Sequence, residues 1–300
     1  MISIFINVIV PVIIIFFTGY IVGRIFNLDQ KSFSTISIYI LTPCLVLTSL
    51  TESNNIFTIT TLKILVSVTI LIIITYITIE IYSRIFKIPQ SLKTILLLTL
   101  ILPNTGNYGI PVTEYAYGKE ALPVASILLV IYIFFTHTLG VFIASREKGD
   151  YKESLTNVLK IPVIYSFIVA LVISYFKIKI PNPILLPIKS IGYSAIPLNL
   201  LLVGINLSRV KIDRNLILVS IVSLIKLFLI PLVASVIMRI LRIKGLDFKV
   251  SLLQIAMPSA IYCSILATHF EGDEKLASEI VLASIILSIF SLSMIIYIMG

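Results

Sequence analysis

The segment Leu102-Pro-Asn-Thr-Gly-Asn-Tyr-Gly-Ile-Pro111 contains two prolines, two glycines and two asparagines within ten residues. Proline removes a backbone donor and clashes with the preceding turn, glycine is a weak helix former, and asparagine competes for backbone hydrogen bonds. We therefore expect an interruption in any helix that crosses this segment. An interrupted helix has a new N-terminus, where unpaired N–H groups and the positive end of the helix dipole attract anions.

A milder interruption is predicted at Ala256-Met-Pro-Ser-Ala260. Uncharged polar side chains in the two segments can add hydrogen bonds to a bound anion, which favours weak, reversible binding of a carboxylate. The predicted substrate-binding residues are Pro103, Asn104, Thr105, Gly106, Asn107, Tyr108, Gly109, Pro111, Met257, Pro258, Ser259 and Ala260. The alternative is a structural kink between packed helices, which we prefer for Pro43, Pro197 and Pro231.

Four other polar residues lie within or near apolar runs, and each allows two interpretations. Lys226 is either a counter-charge for an anionic substrate or a structural polar contact. Glu80 lies nearer a helix end, so it either binds an ion or extends to the membrane surface. His137 either relays protons or packs through one hydrogen bond. Gln254 either has a functional role, in which it lines the cavity or coordinates a cation, or makes a structural contact.

The composition indicates what surrounds these residues. Of 300 residues, 58% are hydrophobic and 12% are charged, and the mean hydropathy is +1.11. Soluble domains carry about 25% charged residues, so lipid must cover much of this surface. Runs of roughly 20 apolar residues predict transmembrane helices. The ten predicted spans are Ile2–Val22, Phe33–Leu50, Phe57–Ile79, Leu92–Pro111, Leu122–Ser145, Ile161–Phe176, Ile184–Leu207, Leu216–Met238, Val250–Thr268 and Leu276–Met299.

Several other classes of protein are disfavoured. The net charge of +9 comes from Lys and Arg in short loops, which is typical of contact with lipid headgroups rather than nucleic acid. The first apolar run has no basic residue before it, so we predict a retained helix rather than a signal peptide. Cys44, Cys263 and the two histidines match no metal-binding or nucleophile–base pattern, so we predict no metal, cofactor or enzymatic activity. A purely structural membrane protein would not explain two interruptions at matched positions.

The basic loop residues predict the orientation of the chain. In the first half, nine Lys and Arg residues lie in the odd-numbered loops and two in the even-numbered loops. This asymmetry assigns the odd-numbered loops to the cytoplasm. The second half has the opposite bias, four against seven, and the first half is taken to dominate. We therefore predict a multi-pass protein of the cell membrane with both termini outside.

Prolines and glycines recur at a nearly constant offset, which indicates an internal duplication. The pairs are Pro11 and Pro162, Pro43 and Pro197, Pro103 and Pro258, and Gly118 and Gly272, at offsets of 151 to 155 residues. Each copy holds five predicted helices, and an odd number makes the second copy enter the membrane from the opposite side. Such inverted repeats are typical of secondary transporters. The predicted division is a first repeat at 1–146, a cytoplasmic linker at 147–160 and a second repeat at 161–300.

These motifs resemble the auxin efflux carrier family over nearly the whole chain. The segment 102–111 is similar to the family's fourth-helix motif, and Met257-Pro-Ser-Ala-Ile261 followed by Gly272-Asp-Glu is similar to its ninth helix and exit loop. The resemblance implies the ten-helix fold of bile-acid/sodium symporters, in which helices four and nine cross at Pro103 and Pro258. It further implies a scaffold of helices 1, 2, 6 and 7, a moving transport domain of helices 3–5 and 8–10, and a homodimer.

Two departures from the plant carriers bear on the substrate. Their long central loop shrinks here to Arg146–Lys160, and Ser259 stands where plant members carry a larger amide. Both departures argue against auxin. The resemblance to prokaryotic members of the family, which are linked to malate-like or other organic anions, implies a small organic anion instead. We therefore expect a secondary transporter or facilitator that moves a carboxylate by alternating access, either without ion coupling or with coupling to protons or sodium. The alternative is a sodium-coupled symporter of the bile-acid type.

Overall fold

The computed structural model describes residues 6, 8, 10–26, 28–52, 58–144, 162–208, 216–270 and 272–300. Within these ranges the chain is helical, and its β-type pairing consists of an isolated bridge between Pro103 and Ser259. The predicted all-α class is therefore confirmed for the described residues. The predicted linker 147–160 lies outside them, as does the start of the first predicted span.

Ten helical segments follow one another in the described ranges, and two of them are interrupted. They are α1 (Val10–Ile25), α2 (Gln30–Ile36, Ser37–Leu41 and Thr42–Thr51), α3 (Ile59–Ile85), α4a (Gln90–Ile101), α4b (Thr105–Gly109 and Ile110–Tyr117), α5 (Lys119–Ala121, Leu122–Phe135, Thr136–Gly140 and Val141–Ala144), α6 (Pro162–Phe176), α7 (Asn182–Leu207), α8 (Leu216–Leu224, Ile225–Leu229 and Ile230–Ile240), α9a (Gly245–Ile255), α9b (Tyr262–His269) and α10 (Glu274–Met299). Six of them, α2, α3, α5, α7, α8 and α10, are long and apolar enough to cross a membrane, and α1, α4a and α6 are shorter apolar helices.

The helix bounds follow the predicted spans closely, with three differences. Helix α3 continues to Ile85 rather than Ile79, and α4b continues to Tyr117 rather than Pro111. Helix α9a begins at Gly245 rather than Val250. Each extension contains polar or charged residues, which a search for apolar runs does not include. Such residues nevertheless form helix at the edge of a membrane as readily as apolar residues do.

Helices α3 and α8 end in the same way. The N–H of Ile88 donates to the carbonyl oxygen of Ser83, and the N–H of Ile243 donates to that of Met238, both at 3.0 Å. Each bond closes the last turn around a basic residue with a positive φ, which allows the chain to reverse into the next helix. These basic residues are Lys87 (φ 51°) and Arg242 (φ 57°).

Helix α7 packs against α1 and α2, and α6 packs against α2. The first of these contacts is close because glycines lie at it: a Cβ on Gly204 would overlap the carbonyl oxygen of Phe16, and one on Gly19 would overlap that of Leu201. Absence of a side chain lets the two backbones approach, as is common between helices in membranes. The hydroxyl of Ser37 also donates to Oδ1 of Asn199 at 2.5 Å, which joins α2 to α7.

Candidate functional site

The two interruptions lie against each other and exchange backbone hydrogen bonds. The N–H of Asn104 donates to the carbonyl oxygen of Pro258 at 2.8 Å, and the N–H of Ala260 donates to that of Leu102 at 2.9 Å. Within a membrane, each backbone group released from a helix needs another partner. The gap between α4a and α4b and the gap between α9a and α9b therefore satisfy each other, and the two broken helices cross at this point.

The interruption in helix four is shorter than the segment that predicted it. Helix resumes at Thr105 as a π-helical turn to Gly109, and α-helix follows from Ile110. The predicted interruption of a helix within 102–111 is therefore present, and the non-helical part of it is residues 102–104. Pro111 lies just after the π-helical turn, and its missing N–H lies where that turn passes into α-helix.

The C-terminal end of α4a is capped by residues from the second half of the chain. The hydroxyl of Ser259 donates to the carbonyl oxygen of Thr99 at 2.8 Å, and Nζ of Lys226 donates to that of Leu100 at 3.1 Å. The thiol of Cys263 donates to the carbonyl oxygen of Leu98 at 3.3 Å. The carbonyl oxygen of Leu98 also accepts from the N–H of Leu102, whereas carbonyl groups further along the last turn of a helix lack helical partners. These carbonyl groups carry partial negative charge, so the donors stabilise this buried helix end.

Three further contacts fix α4b. The amide Nε2 of Gln254 donates to the hydroxyl of Thr113 at 3.0 Å, and the hydroxyls of Tyr108 and Ser288 are 3.2 Å apart. A Cβ on Gly109 would overlap Oε1 of Gln254, so a larger residue there would displace this amide. Contacts with α9a and α10 thus fix the position of the resumed half-helix.

A cavity of about 730 Å³ lies beside the crossing. This volume is within the range of small-molecule sites. Seven of the predicted residues line it: Pro103, Asn104, Thr105, Gly106, Asn107, Ala260 and His137. The other predicted residues lie outside its lining: Tyr108, Gly109, Pro111, Met257, Pro258, Ser259, Gln254, Lys226 and Glu80.

The N-terminal ends of both resumed half-helices border this cavity. Thr105, Gly106 and Asn107 line it from the start of α4b, and Ile261 and Tyr262 line it from the start of α9b. The positive ends of two helix dipoles therefore meet at one wall. Among the lining residues there is neither lysine nor arginine in the described part of the chain, so these ends supply the positive potential.

Asn104 combines two properties of a ligand contact. Its side chain is 5% exposed, and its Nδ2 has no hydrogen-bond partner among the described atoms. Buried polar donors are almost always paired, so an unpaired one beside a cavity favours an acceptor from a ligand.

Lys226 and Glu80 make contacts away from the cavity. Lys226 is 1% exposed and bonds the end of α4a, which favours the structural interpretation of this residue. Glu80 pairs with Lys93 at 3.2 Å and with Arg84 at 3.4 Å, near the end of α3. This arrangement matches the interpretation of Glu80 as a residue near the membrane surface.

Sequence reasoning missed the contribution of α2 to the cavity. Ser34, Thr35, Ser37 and Thr42 line it, together with Glu274 at the start of α10. A signal was present, because hydroxyl residues are dense between positions 32 and 42 in an otherwise apolar span. Three π-helical turns, Ser37–Leu41, Thr105–Gly109 and Thr136–Gly140, contribute lining residues, and such turns are frequent at functional sites.

The comparisons with known proteins agree with this architecture. The sequence model of the family described as membrane transport protein matches residues 4–296. An uncharacterized transporter of Methanocaldococcus jannaschii is 29% identical over 285 residues, which cover 91% of this chain and 92% of the relative. An uncharacterized transporter of Methanothermobacter thermautotrophicus is 28% identical over 197 residues, which cover 63% of this chain and 62% of the relative. The chain belongs to the membrane transport protein family, the auxin efflux carriers, and is a multi-pass membrane protein.

Proposed function

We propose that this protein is a secondary transporter that moves a small organic anion by alternating access, with its site where helices four and nine cross. One observation carries the proposal: two interrupted helices direct their N-terminal ends at one cavity. Helix N-termini and uncharged donors bind a carboxylate without a fixed lysine or arginine. Such binding is weak enough to be reversed in each transport cycle.

The geometry of the crossing supports an inverted repeat of five helices. The bridge between Pro103 and Ser259 is antiparallel, as an axis of two-fold pseudosymmetry in the membrane plane requires. We assign 1–146 to the first repeat, 147–160 to the linker and 161–300 to the second repeat.

Packing contacts support two bodies that move against each other. Helices α1, α2, α6 and α7 pack on one another and form the proposed scaffold. In the proposed transport domain, α3 packs on α4a and α8, and α10 packs on α8 and α9b. The exposed apolar side chains, such as Ile14, Phe17 and Ile73, face lipid in this arrangement. A homodimer through the scaffold accords with the family resemblance.

The cavity is reached from one side of the molecule, which supports alternating access. It extends to the exposed residues Thr35, near the start of α2, and Glu274, at the start of α10. Both follow odd-numbered loops, so the cavity is open to the cytoplasm if the termini lie outside. On the opposite side, Nζ of Lys119 lies 4.5 Å from the ring centroid of Tyr193, a contact between the proposed transport domain and scaffold.

Reconstituted protein tests the proposal. Proteoliposomes are loaded with unlabelled malate or fumarate, and uptake of the labelled anion is measured against concentration. Saturable uptake that is lost in Asn104→Asp is the expected result, because a carboxylate at this position repels the anion. Absence of saturable flux for any small carboxylate, in protein shown to be folded, would overturn the proposal.

Sodium coupling is a second candidate, and one observation favours it. Oε1 of Gln254 is buried with no hydrogen-bond partner among the described atoms, beside Gly109 and the carbonyl oxygen of Asn104. Oxygen ligands of this kind suit a hard cation. Thermal unfolding in sodium chloride, compared with potassium chloride at equal ionic strength, tests it. Stabilisation by sodium that disappears in Gln254→Leu supports a symporter, and equal melting temperatures in both salts contradict it.

A further inference from the structure

His137 is placed at the cavity by a π-helical turn of α5, Thr136–Gly140. Its Nδ1 atom lies 3.0 Å from the carbonyl oxygen of Ile133. A carbonyl oxygen only accepts hydrogen bonds, so Nδ1 carries a hydrogen in this contact. The second ring nitrogen, Nε2, is therefore the atom that gains or loses a proton.

Among the described residues that line the cavity, His137 is the one whose charge changes near neutral pH. Its ring lies on that of Tyr262, with centroids 5.0 Å apart and planes inclined at 36°. The other ionisable side chains that line the cavity in the described chain are Glu274 and the phenols of Tyr39, Tyr132 and Tyr262. Glu274 is exposed at the entrance, and phenols stay neutral near pH 7. Protonation of His137 therefore introduces a formal positive charge into a cavity that otherwise relies on helix ends.

We propose that His137 binds the proton that accompanies the transported anion, so that its protonated ring strengthens the anion site and its neutral ring weakens it. This inference rests on the proposed function. Histidine is suited to the role because its charge changes between about pH 5 and 8. The proton enters from water on one side of the membrane, forms the Nε2–H bond, and returns to water on the other side.

The direction of the pH effect follows from the sign of the charge. Below the midpoint of the His137 titration the ring is positive and attracts the anion, and above it this attraction is lost. A proton carried together with a monocarboxylate leaves no net charge moved across the membrane. One unit charge in a partly hydrated cavity changes the affinity by about tenfold.

Fumarate uptake at about pH 5.5 and 7.5 tests the inference, because both fumarate carboxyl groups stay ionised over this range. In the wild type we expect the half-saturation concentration to be about tenfold lower at the acidic pH. His137→Gln removes the dependence, since glutamine keeps a polar side chain without a titratable proton. His269→Gln is the matched control at the other histidine of the chain and keeps the dependence. We expect Glu274→Gln to keep the pH dependence as well. The inference would be overturned if the pH dependence were lost in Glu274→Gln and persisted in His137→Gln.

A second readout follows the histidine itself. The chain has two histidines, so ¹⁵N-histidine labelling gives two ring spectra, and His137→Gln identifies which belongs to His137. We expect fumarate to move the titration midpoint of His137 to higher pH, because an anion stabilises the charged ring. A midpoint that fumarate leaves unchanged, in protein that carries fumarate, overturns the inference and leaves the proposed function intact. If the protein carries no carboxylate at all, both fail together.

Discussion

The Nζ atom of Lys226 donates a hydrogen bond to the carbonyl oxygen of Leu100, 126 residues earlier in the chain, at 3.1 Å. Helix α8 thereby donates a hydrogen bond to a carbonyl group at the C-terminal end of α4a, just before the interruption. A basic side chain deep in an apolar span thus has a structural partner, and that partner lies outside the cavity lining.

Lys226→Met is expected to lower stability while leaving substrate affinity unchanged. Methionine keeps the length of the side chain but leaves the Leu100 carbonyl without this donor, a loss of about 1–3 kcal/mol for a buried group. Thermal unfolding in detergent measures the first effect, and fumarate uptake at equal amounts of folded protein measures the second. Lys179→Met is a control at an exposed lysine. If Lys226→Met abolished uptake with stability unchanged, a direct role for Lys226 in substrate binding would follow.

Gly109→Ala is expected to destabilise the crossing by about 1–3 kcal/mol. The added Cβ overlaps Oε1 of Gln254, which is itself held by Thr113. Gly272→Ala is the matched control, because its Cβ would meet the Ala267 carbonyl oxygen at an ordinary 3.5 Å. A double variant with Gln254→Ala should recover part of the loss, since the overlapping atom is then absent. Full additivity of the two single effects in thermal unfolding would show that this contact is not the cause.

Asn104→Ala is expected to raise the half-saturation concentration for a carboxylate by about tenfold or more, because a hydrogen bond to a charged ligand is worth about 1.5–3 kcal/mol. The unpaired Nδ2 beside the cavity motivates this expectation. Asn182→Ala is the control, since Asn182 is exposed at the start of α7 and lies outside the cavity lining. Equal uptake kinetics in Asn104→Ala and the wild type would remove Asn104 from the site.

Tyr193→Leu is expected to shift the protein away from the conformation described here. It removes the contact with Lys119, worth about 0.5–1 kcal/mol at an exposed site, which changes a two-state ratio by roughly two- to fivefold. A cysteine introduced at Ser264, on the cavity wall, reports access by a water-soluble maleimide. Labelling from the side of Glu274 should slow in Tyr193→Leu and remain unchanged in Tyr297→Leu, where an exposed tyrosine of α10 is replaced. Unchanged labelling in Tyr193→Leu would show that the contact between Lys119 and Tyr193 does not stabilise the conformation described here.

The sequence by itself determined the class of protein, the positions of the helices and both interruptions. These properties depend on local composition, because a run of apolar residues requires lipid or protein around it and a proline within that run removes a helical hydrogen bond wherever the chain lies. The family resemblance carried by segments 102–111 and 257–261 depends on the same local patterns, and the family match over residues 4–296 confirms it.

Only the tertiary structure decided which atoms meet at the crossing. The bonds from Asn104 to Pro258 and from Ser259 to Thr99 join residues 154 and 160 positions apart, and no local pattern fixes how two such segments align. Lys226 and His137 show the consequence: each is a polar residue within an apolar span, yet one caps a helix end and the other lines the cavity. The difference arises from the direction in which each helix presents its side chain to its neighbours, which depends on how the helices pack.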